Sequence, residues 1–580
     1  MSFNRLRTLQ PIEWLLAILL IFAPLYFHPN LGGTGLRIPN NIVVWSVASF
    51  IGFYSLFRLT QNHYFYIPRY FLLMALFPVL AFLSGMISGV EIANQWTFRI
   101  LYIWGGLLFF FGLFQHQLKQ GRVDRLLLMV VIAGLFHSIV GISQIIWTKN
   151  LTSFLPMNTS GIPTGLFQQI NNQASFQVTC IIIALWLATR PIIAKAPIWR
   201  FLLVLLAISL GAFVVSYSGS RVGTLGFILA LPLLLLSRWQ FIKRDKRRWW
   251  LITVLLLTSI TSASIVETNR GLTGAFDKAT AINAGFSGEA RLGMYSIAYE
   301  LIKDEPVFGH GIGSFVRVWQ LAKPDFYAKH PDATLPSQRV AHPHNEIIFW
   351  LVEGGIIVGI GLLLVFIGVL MTLAKLPPSR RYAYAALLLP IALHTQVELP
   401  FYISASHWFV FLLLFYVIMQ PSTRRYRLVL SDAALKLIKV ISIAGTISVV
   451  LFFSFSMAAN LEFKRYLLKQ VPKGNDPFPV AVQHPYFKKL ASHTLMMSLF
   501  NSSVRYGLDD NVRLFSEWGE QELKYNPHIA FYQLTVQAHL YLKQDEKACS
   551  IAKNGLSIYP NDRKLKNIIS NFCISHKHFH

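Results

Sequence analysis

Charged residues are scarce in this sequence. Asp, Glu, Lys and Arg make up 13% of its 580 residues, against roughly 25% in an ordinary soluble domain. Acidic residues are the rarer kind, 26 against 52 Lys and Arg, and the formal net charge is +26. Together with 54% hydrophobic residues, this shortage excludes an ordinary soluble enzyme and predicts a membrane protein. Lys and Arg in cytoplasmic loops explain the basic excess better than nucleic-acid binding, so no nucleic-acid partner is expected.

Cysteine is also rare, with three residues in the chain. Cys180 lies in an apolar run, whereas Cys549 and Cys573 lie near the C-terminus, and no paired spacing indicates zinc. Whether Cys549 and Cys573 pair is open, although an oxidising periplasm would permit it.

The first apolar stretch begins near Trp14 and lacks a small-residue cleavage site, so we interpret it as an uncleaved span.

Thirteen apolar segments approach the length of about 20 residues that crosses a bilayer. If Arg5 and Arg7 are cytoplasmic, every second gap between segments is basic, as the positive-inside rule requires. The odd number of spans then places the C-terminus outside. The sequence predicts an all-α polytopic membrane protein with about 12–13 transmembrane helices. The segments are 12–28, 41–59, 68–90, 97–115, 125–147, 173–190, 199–217, 222–240, 249–266, 346–374, 382–397, 404–420 and 437–458.

Two polar stretches on the outer side are too long to be turns. We predict transmembrane helices in 1–266 and 346–458, a large outer loop in 267–345 and an outer helical domain in 459–580. The Ala and Leu spacing from Asn526 to Pro560 resembles one tetratricopeptide-like unit of paired antiparallel helices. One such unit cannot bury its own face, so we expect it to pack on other tail helices or on the loop.

Polar residues interrupt apolar sequence at the outer helix ends. Gln169 and Asn171, in "GLFQQINNQ", either cap the next helix or hydrogen-bond sugar or diphosphate oxygens. Arg221, in "SYSGSRVG", either reaches lipid headgroups or binds phosphate oxygens in a bidentate way. Arg291 opens an amphipathic helical stretch and adds a second outer cation, and two arginines suit a diphosphate. The following "GHGIG" lacks the Lys-Ser/Thr ending of a phosphate loop.

The stretch "AHPHNE" immediately precedes the tenth apolar segment. Asn345 is a good helix N-cap, and Glu346 suits the positive end of the helix dipole. His344 would lie at the membrane surface beside that positive end, where a neutral imidazole can act as a general base on a hydroxyl. Glu353 lies about two turns into the bilayer and needs a partner.

A metal site is the alternative interpretation of these histidines. His330, His342 and His344 with Asp332 or Glu346 offer zinc ligands, but a proline separates the His-x-His pair and a helix begins there. We therefore predict no metal and no cofactor.

A further polar group lies in "HTQVELPFYISASHW". His394 and Glu398 are close to the outer end of the eleventh segment, where Pro400 breaks the helix. They form either a cavity wall or interhelical hydrogen bonds.

These motifs, in this order, resemble the O-antigen ligase and O-antigen polymerase (WaaL/Wzy) superfamily, and within it the PglL-type bacterial protein O-oligosaccharyltransferases. The resemblance implies a metal-independent membrane glycosyltransferase of the bacterial inner membrane. Its site and C-terminal domain would be periplasmic, and its donor would be a glycan on undecaprenyl diphosphate.

The resemblance also implies residue roles. The family's base corresponds to His344, and its diphosphate-binding arginines correspond to Arg221 and Arg291. Supporting or substrate-binding positions are Gln169, Asn171, His342, Asn345, Glu353, His394, Glu398 and Tyr402.

Three functions follow as hypotheses. The first is transfer of a preassembled glycan to Ser or Thr of pilin-like or other periplasmic proteins, which the large outer tail favours. The second is ligation of O-antigen to lipid A-core, or polymerisation of repeat units. The third is transport of the lipid-linked glycan, which predicts inverted repeats that the sequence does not show.

Overall fold

The computed structural model of the protein describes residues 9–90, 92–147, 155–156, 161–267, 286–331, 333, 335–336, 339–472 and 474–573, with the backbone alone for 286–290. These residues form two compact units. The first unit contains the described residues within 1–78, 101–281 and 361–481, and the second contains those within 79–100, 282–360 and 482–580.

The structure is 77% helical with almost no strands. Proline, glycine and polar capping residues stand at many of the helix ends. Ser220, Ser404 and Ser431, for example, each accept a hydrogen bond from the first turn of the helix that they precede. In chain order the helices up to the loop are α1 (Pro11–Ala17), α2 (Pro39–Leu59), α3 (Phe71–Ile87), α4 (Ala93–Gln115), α5 (Gln120–Ile146), α6 (Ile170–Ala188), α7 (Pro191–Ala194), α8 (Ile198–Ser218), α9 (Arg221–Arg244) and α10 (Lys246–Val266).

The loop, the later spans and the tail continue the series. They are α11 (Phe286–Asp304), α12 (Phe315–Leu321), α13 (Lys323–Lys329), α14 (Glu346–Ala374), α15 (Pro378–His394), α16 (Pro400–Ile403), α17 (Ala405–Met419), α18 (Asp432–Leu467), α19 (Lys488–Tyr506), α20 (Asp509–Tyr525), α21 (Ile529–Tyr541), α22 (Asp545–Ile558) and α23 (Arg563–Ile568).

Ten helices among the described residues are long and apolar enough to cross a membrane. They account for ten of the thirteen predicted segments. The shorter apolar helices Pro11–Leu25 and Phe71–Ile87, with α15, coincide with the other three. The prediction of an all-α polytopic membrane protein is therefore confirmed.

The first unit is centred on α6, which is buried along nearly its whole length and packs against α5, α8 and α9. Small residues allow these close approaches. A Cβ at Gly134 would lie 2.6 Å from Cys180 Sγ, and one at Gly223 would lie 2.7 Å from Ala174 Cβ. Close packing through small residues is typical of helices in a membrane.

Ionic contacts in the first unit join helix ends that the charge pattern places on one side of the membrane. The buried carboxylate of Glu13 pairs with Arg122 and Arg125, and Arg190 Nε lies 3.0 Å from Asp124 Oδ2.

The strands β1 (Tyr64–Pro68) and β2 (Thr423–Arg427) pair antiparallel, with Tyr64 opposite Arg427. Both strands lie in predicted cytoplasmic gaps, so their pairing agrees with the predicted alternation.

In the second unit the described part of the tail contains the helices α19–α23. The antiparallel helices α21 and α22 match the predicted pair, and their buried faces share a core with α20 and α23. The loop also contacts the tail: Arg317 Nε donates to the Lys524 carbonyl at 2.9 Å, and Lys323 Nζ lies 4.8 Å from the Tyr559 ring centre. The expectation that the paired helices need other partners is confirmed.

The disulfide Cys549–Cys573 closes the C-terminal helices of the tail. It resolves the pairing that the sequence left open. The remaining cysteine, Cys180, is free and buried in the first unit.

Candidate functional site

The start of α14 is built by a side-chain cap. Asn345 Oδ1 accepts the N–H of Ile348 at 3.0 Å, and its carbonyl accepts the N–H of Phe349 at 3.0 Å. This is the N-cap geometry that the sequence predicts. The cap fixes the direction in which the backbone of the two preceding histidines enters the helix.

His344 has a left-handed backbone, with φ +55°. Few residues other than glycine adopt this conformation, and those that do concentrate at functional sites. Its N–H donates to His342 Nδ1 at 3.3 Å, and the two half-buried rings lie 4.5 Å apart at 70°. Because His342 Nδ1 accepts this bond, the proton of a neutral His342 ring belongs on Nε2.

The structure describes only some of the residues of the alternative metal site. Asp332 lies outside the described residues. The rings of His342 and His344 lie edge to face, and imidazole nitrogens are suited to bind a cation.

Glu353 has the partner that its depth in the helix demands. Its carboxylate, 1% exposed, lies 2.5 Å from Nη1 of Arg99 in α4, and its second oxygen accepts the N–H of Phe315 at 3.2 Å. The Arg99 guanidinium lies over the ring of Phe349 at 4.5 Å. The sequence predicted a partner but did not identify Arg99, whose only signal is a lone cation near the end of an apolar segment.

The "VEGG" motif breaks helix α14. Gly355 has φ +62° and ψ −165° within the helix. The amides of Ile356 and Ile357 donate instead to the carbonyls of Pro306 and Val307, at 2.9 and 3.3 Å.

The glycine-rich turn after α11 fits into this break. A Cβ on Gly309 would lie 2.6 Å from the backbone of Glu353 and Gly354, and one on Gly355 would lie 2.3 Å from the Val307 carbonyl oxygen. Two backbones therefore meet where side chains would exclude each other. Gly309 of "GHGIG" and Gly355 of "VEGG" therefore serve this junction.

Glu346 occupies the first turn of α14 and is 8% exposed. Its carboxyl group is buried and has a side-chain hydrogen bond with Trp350, one turn later in the same helix. Arg291 lies near the start of α11 and its side chain is exposed, so its guanidinium is accessible to an anion.

In the first unit, the amides before α6 have structural roles. Gln169 Oε1 accepts the N–H of Asn172 at 2.6 Å, so Gln169 caps α6. Asn171 Oδ1 accepts the hydroxyl of Ser220 at 2.9 Å, and Ser220 caps α9. Arg221 follows Ser220 as the first residue of α9, and its side chain is exposed. Asn171 thus joins two motifs and positions the arginine of the second.

His394 belongs to a buried network that links three helices of the first unit. Its Nδ1 lies 2.7 Å from Ser175 Oγ, which lies 3.2 Å from His407 Nε2, and His407 Nδ1 lies 2.8 Å from Ser404 Oγ. The interhelical interpretation therefore holds for His394. Glu398 is also buried and lies one turn after His394. Its N–H donates to the His394 carbonyl at 3.0 Å.

Tyr402 lies in an aromatic wall of the first unit. Its ring stacks on Tyr102, with centroids 6.1 Å apart and planes at 8°, and Tyr102 also stacks on Trp408 at 5.2 Å. The Tyr102 hydroxyl donates to the Phe401 carbonyl at 3.0 Å. The sequence indicated Tyr402 but missed three neighbours. Tyr102 lies in an apolar run, and His407 and Trp408 end the stretch "HTQVELPFYISASHW", in which the sequence indicated no role for them.

Two family models match the chain. One, described as O-antigen ligase, matches residues 204–364, the range that contains Arg221, Arg291 and His344. The other, described as the C-terminal region of a virulence factor membrane-bound polymerase, matches residues 382–570. No curated protein matches the chain. The two matches support a multi-pass membrane enzyme that is similar to O-antigen ligases and polymerases over these two ranges.

Proposed function

We propose that the protein transfers a preassembled glycan en bloc from undecaprenyl diphosphate to Ser or Thr hydroxyls of periplasmic or pilin-like proteins. The observation that carries the proposal is the placement of His344, a left-handed histidine directly before a capped helix, inside the range matched by the O-antigen ligase model.

In this reaction the acceptor oxygen forms a bond to the anomeric carbon as the bond from that carbon to the diphosphate oxygen breaks. His344 takes the hydroxyl proton as the oxygen attacks, which is the work of a neutral imidazole. The leaving diphosphate gains negative charge. The exposed guanidinium groups of Arg221 and Arg291 are each suited to phosphate oxygens.

We propose the periplasm for the tail and for the reaction. Disulfides persist in oxidising compartments, and Cys549–Cys573 lies in the tail. The basic helix ends joined by Glu13 and Asp124 belong to the cytoplasmic side under the positive-inside rule. Both observations support an inner-membrane protein with its C-terminal domain outside.

The folded tail favours a protein acceptor. Helices α19–α23 offer a helical surface of the kind that repeat-type domains use to bind proteins. O-antigen ligation to lipid A-core and polymerisation of repeat units remain the second candidate, favoured by the descriptions of both matching families. Transport of the lipid-linked glycan is the third.

The test uses purified protein, an undecaprenyl-diphosphate glycan, and two acceptors offered in parallel, a pilin-type protein and lipid A-core. Chelator is present in one series and absent in the other. We expect glycan on the protein acceptor in both series. Glycan on lipid A-core alone would support the second candidate, and dependence on a metal would revive the His342–His344 metal site. Absence of transfer to either acceptor, with glycan crossing a vesicle membrane, would support transport.

A further inference from the structure

The basic end of the α8–α10 helices contains a small cavity in the first unit. It has a volume of about 120 Å³ and is lined by apolar side chains, among them Phe201 and Trp249, and by Arg244 and Arg248. A cavity of this volume holds several waters, so it has room for a group the size of a phosphodiester. None of the residues proposed for glycan transfer lines it.

The charge around the cavity is strongly one-sided. Residues 238–248, "RWQFIKRDKRR", carry six cationic side chains and one aspartate. Arg244 is exposed in the last turn of α9, where a cation also suits the helix dipole. The helix dipole accounts for the cation at Arg244. It does not account for a cavity lined by two guanidinium groups and by apolar side chains.

Arg248 is held in place at the cavity. Its Nη1 donates to the Ala194 carbonyl at 3.2 Å, its Nε lies 3.3 Å from Asp245 Oδ2, and the guanidinium lies 5.2 Å from the Phe201 ring centre. A guanidinium fixed in this way presents a preorganised donor to a phosphate oxygen.

Three tryptophans place this end of the helices at the bilayer interface. Trp199, Trp239 and Trp250 are each more than half exposed, and tryptophan concentrates at the level of lipid headgroups. The cavity therefore lies at the depth where a headgroup phosphate meets its acyl chains.

We propose that this cavity binds an anionic phospholipid. Arg244 and Arg248 contact the headgroup phosphate, and the start of an acyl chain packs on Phe201 and Trp249. Basic pockets between transmembrane helices are a recurrent site for such lipids. The site is independent of glycan transfer.

Native mass spectrometry of the purified full chain tests the site, with phosphatidylglycerol, cardiolipin and phosphatidylcholine titrated separately. We expect the anionic lipids to bind more tightly than phosphatidylcholine. Arg244→Gln should weaken anionic-lipid binding about fivefold, and Arg248→Gln should weaken it at least as much. Arg247→Gln is the matched control, because Arg247 is exposed in the same turn but does not line the cavity.

Asp245→Asn tests the sign of the interaction without removing a donor. Asparagine keeps the N-cap of α10 and removes the one negative charge among the cavity-lining residues. Arg248 keeps its bond to the Ala194 carbonyl, so anionic-lipid binding should become tighter. This variant and Arg244→Gln keep the test decisive if Arg248→Gln does not fold.

Two results would overturn the proposal. Equal weakening by Arg247→Gln would show general surface attraction rather than a site. Binding of soluble glycerol phosphate as tight as that of phosphatidylglycerol would show a site for free phosphate groups without a lipid role.

Discussion

Nη1 of Arg99 lies 2.5 Å from the carboxylate of Glu353, although both side chains belong to apolar helices. The pair is enclosed by the Phe349 ring and by the backbone amide of Phe315. Glu353 lies eight residues after the cap Asn345 in the same helix. The pair therefore fixes the first two turns of α14, which His344 and the cap Asn345 directly precede.

Removing one member of this pair should strongly destabilise the protein. Arg99→Met leaves a buried carboxylate without its cation, and the loss of one partner of a buried pair typically costs about 3–5 kcal/mol. Glu353→Gln should cost a similar amount. The midpoint of thermal unfolding in detergent measures both.

The double variant Arg99→Met/Glu353→Gln is the control for this prediction. It leaves no buried charge, so its loss should be clearly smaller than the sum of the two single losses. Strict additivity would contradict the proposed coupling.

Gly355→Ala should destabilise the second unit by several kcal/mol, of which backbone strain accounts for about 1–3 kcal/mol. The added Cβ would lie 2.3 Å from the Val307 carbonyl oxygen, a backbone atom that cannot rotate away. Gly121→Ala is the comparison, because Gly121 lies in α5 with no atom within 4 Å of its Cβ position. That change should be neutral or slightly stabilising, and equal losses for both glycines would argue against the junction described here.

The Cys549–Cys573 disulfide should stabilise the tail by about 2–4 kcal/mol. Reductant should therefore increase amide hydrogen exchange in α22 and α23. A variant with Cys549→Ser and Cys573→Ser should show the same faster exchange and no further response to reductant. A wild-type tail that is insensitive to reductant would contradict the prediction.

The stability of the tail should depend on pH through His528. Burial, with smaller contributions from Arg339 and His493, lowers the pKa of His528 to about 4. Between pH 6.5 and about 4 the unfolded chain binds a proton that the native tail does not, so stability is lost as pH falls. Hydrogen exchange of α21 across this range measures the loss.

His528→Asn is the matched variant. His528 caps α21, with Nδ1 accepting the N–H of Ala530 at 3.1 Å, and asparagine retains a capping oxygen. The variant should keep the helix and flatten the pH dependence between pH 4 and 6.5. An unchanged slope would assign the effect to another group.

The sequence predicted the features that depend on local pattern. All thirteen apolar segments coincide with helices, and Asn345 caps α14 as its neighbours indicated. The paired tail helices follow from the spacing of Ala and Leu. These features depend on residues a few positions apart, which periodicity and capping rules describe directly.

The features that the sequence did not predict depend on distant residues. Glu353 and Arg99 are 254 positions apart, and Tyr64 of β1 pairs with Arg427 of β2, which follows it by 363 positions. The amide of Gln169 was compatible with capping or with ligand binding, and the hydrogen bond to Asn172 identifies it as a cap. The break at Gly355 is a backbone conformation that its neighbours in sequence do not specify.

His344→Asn tests the central claim most directly. Asparagine tolerates the left-handed backbone of this position but has no group that accepts a proton at neutral pH. The measurement is the single-turnover rate of glycan transfer to the protein acceptor, beside His342→Asn and with thermal unfolding followed in parallel. We predict a rate reduced by about 10²–10⁴-fold with unfolding unchanged, and a smaller loss for His342→Asn. A His344→Asn protein that folds and transfers glycan within tenfold of the wild-type rate would contradict His344 as the base.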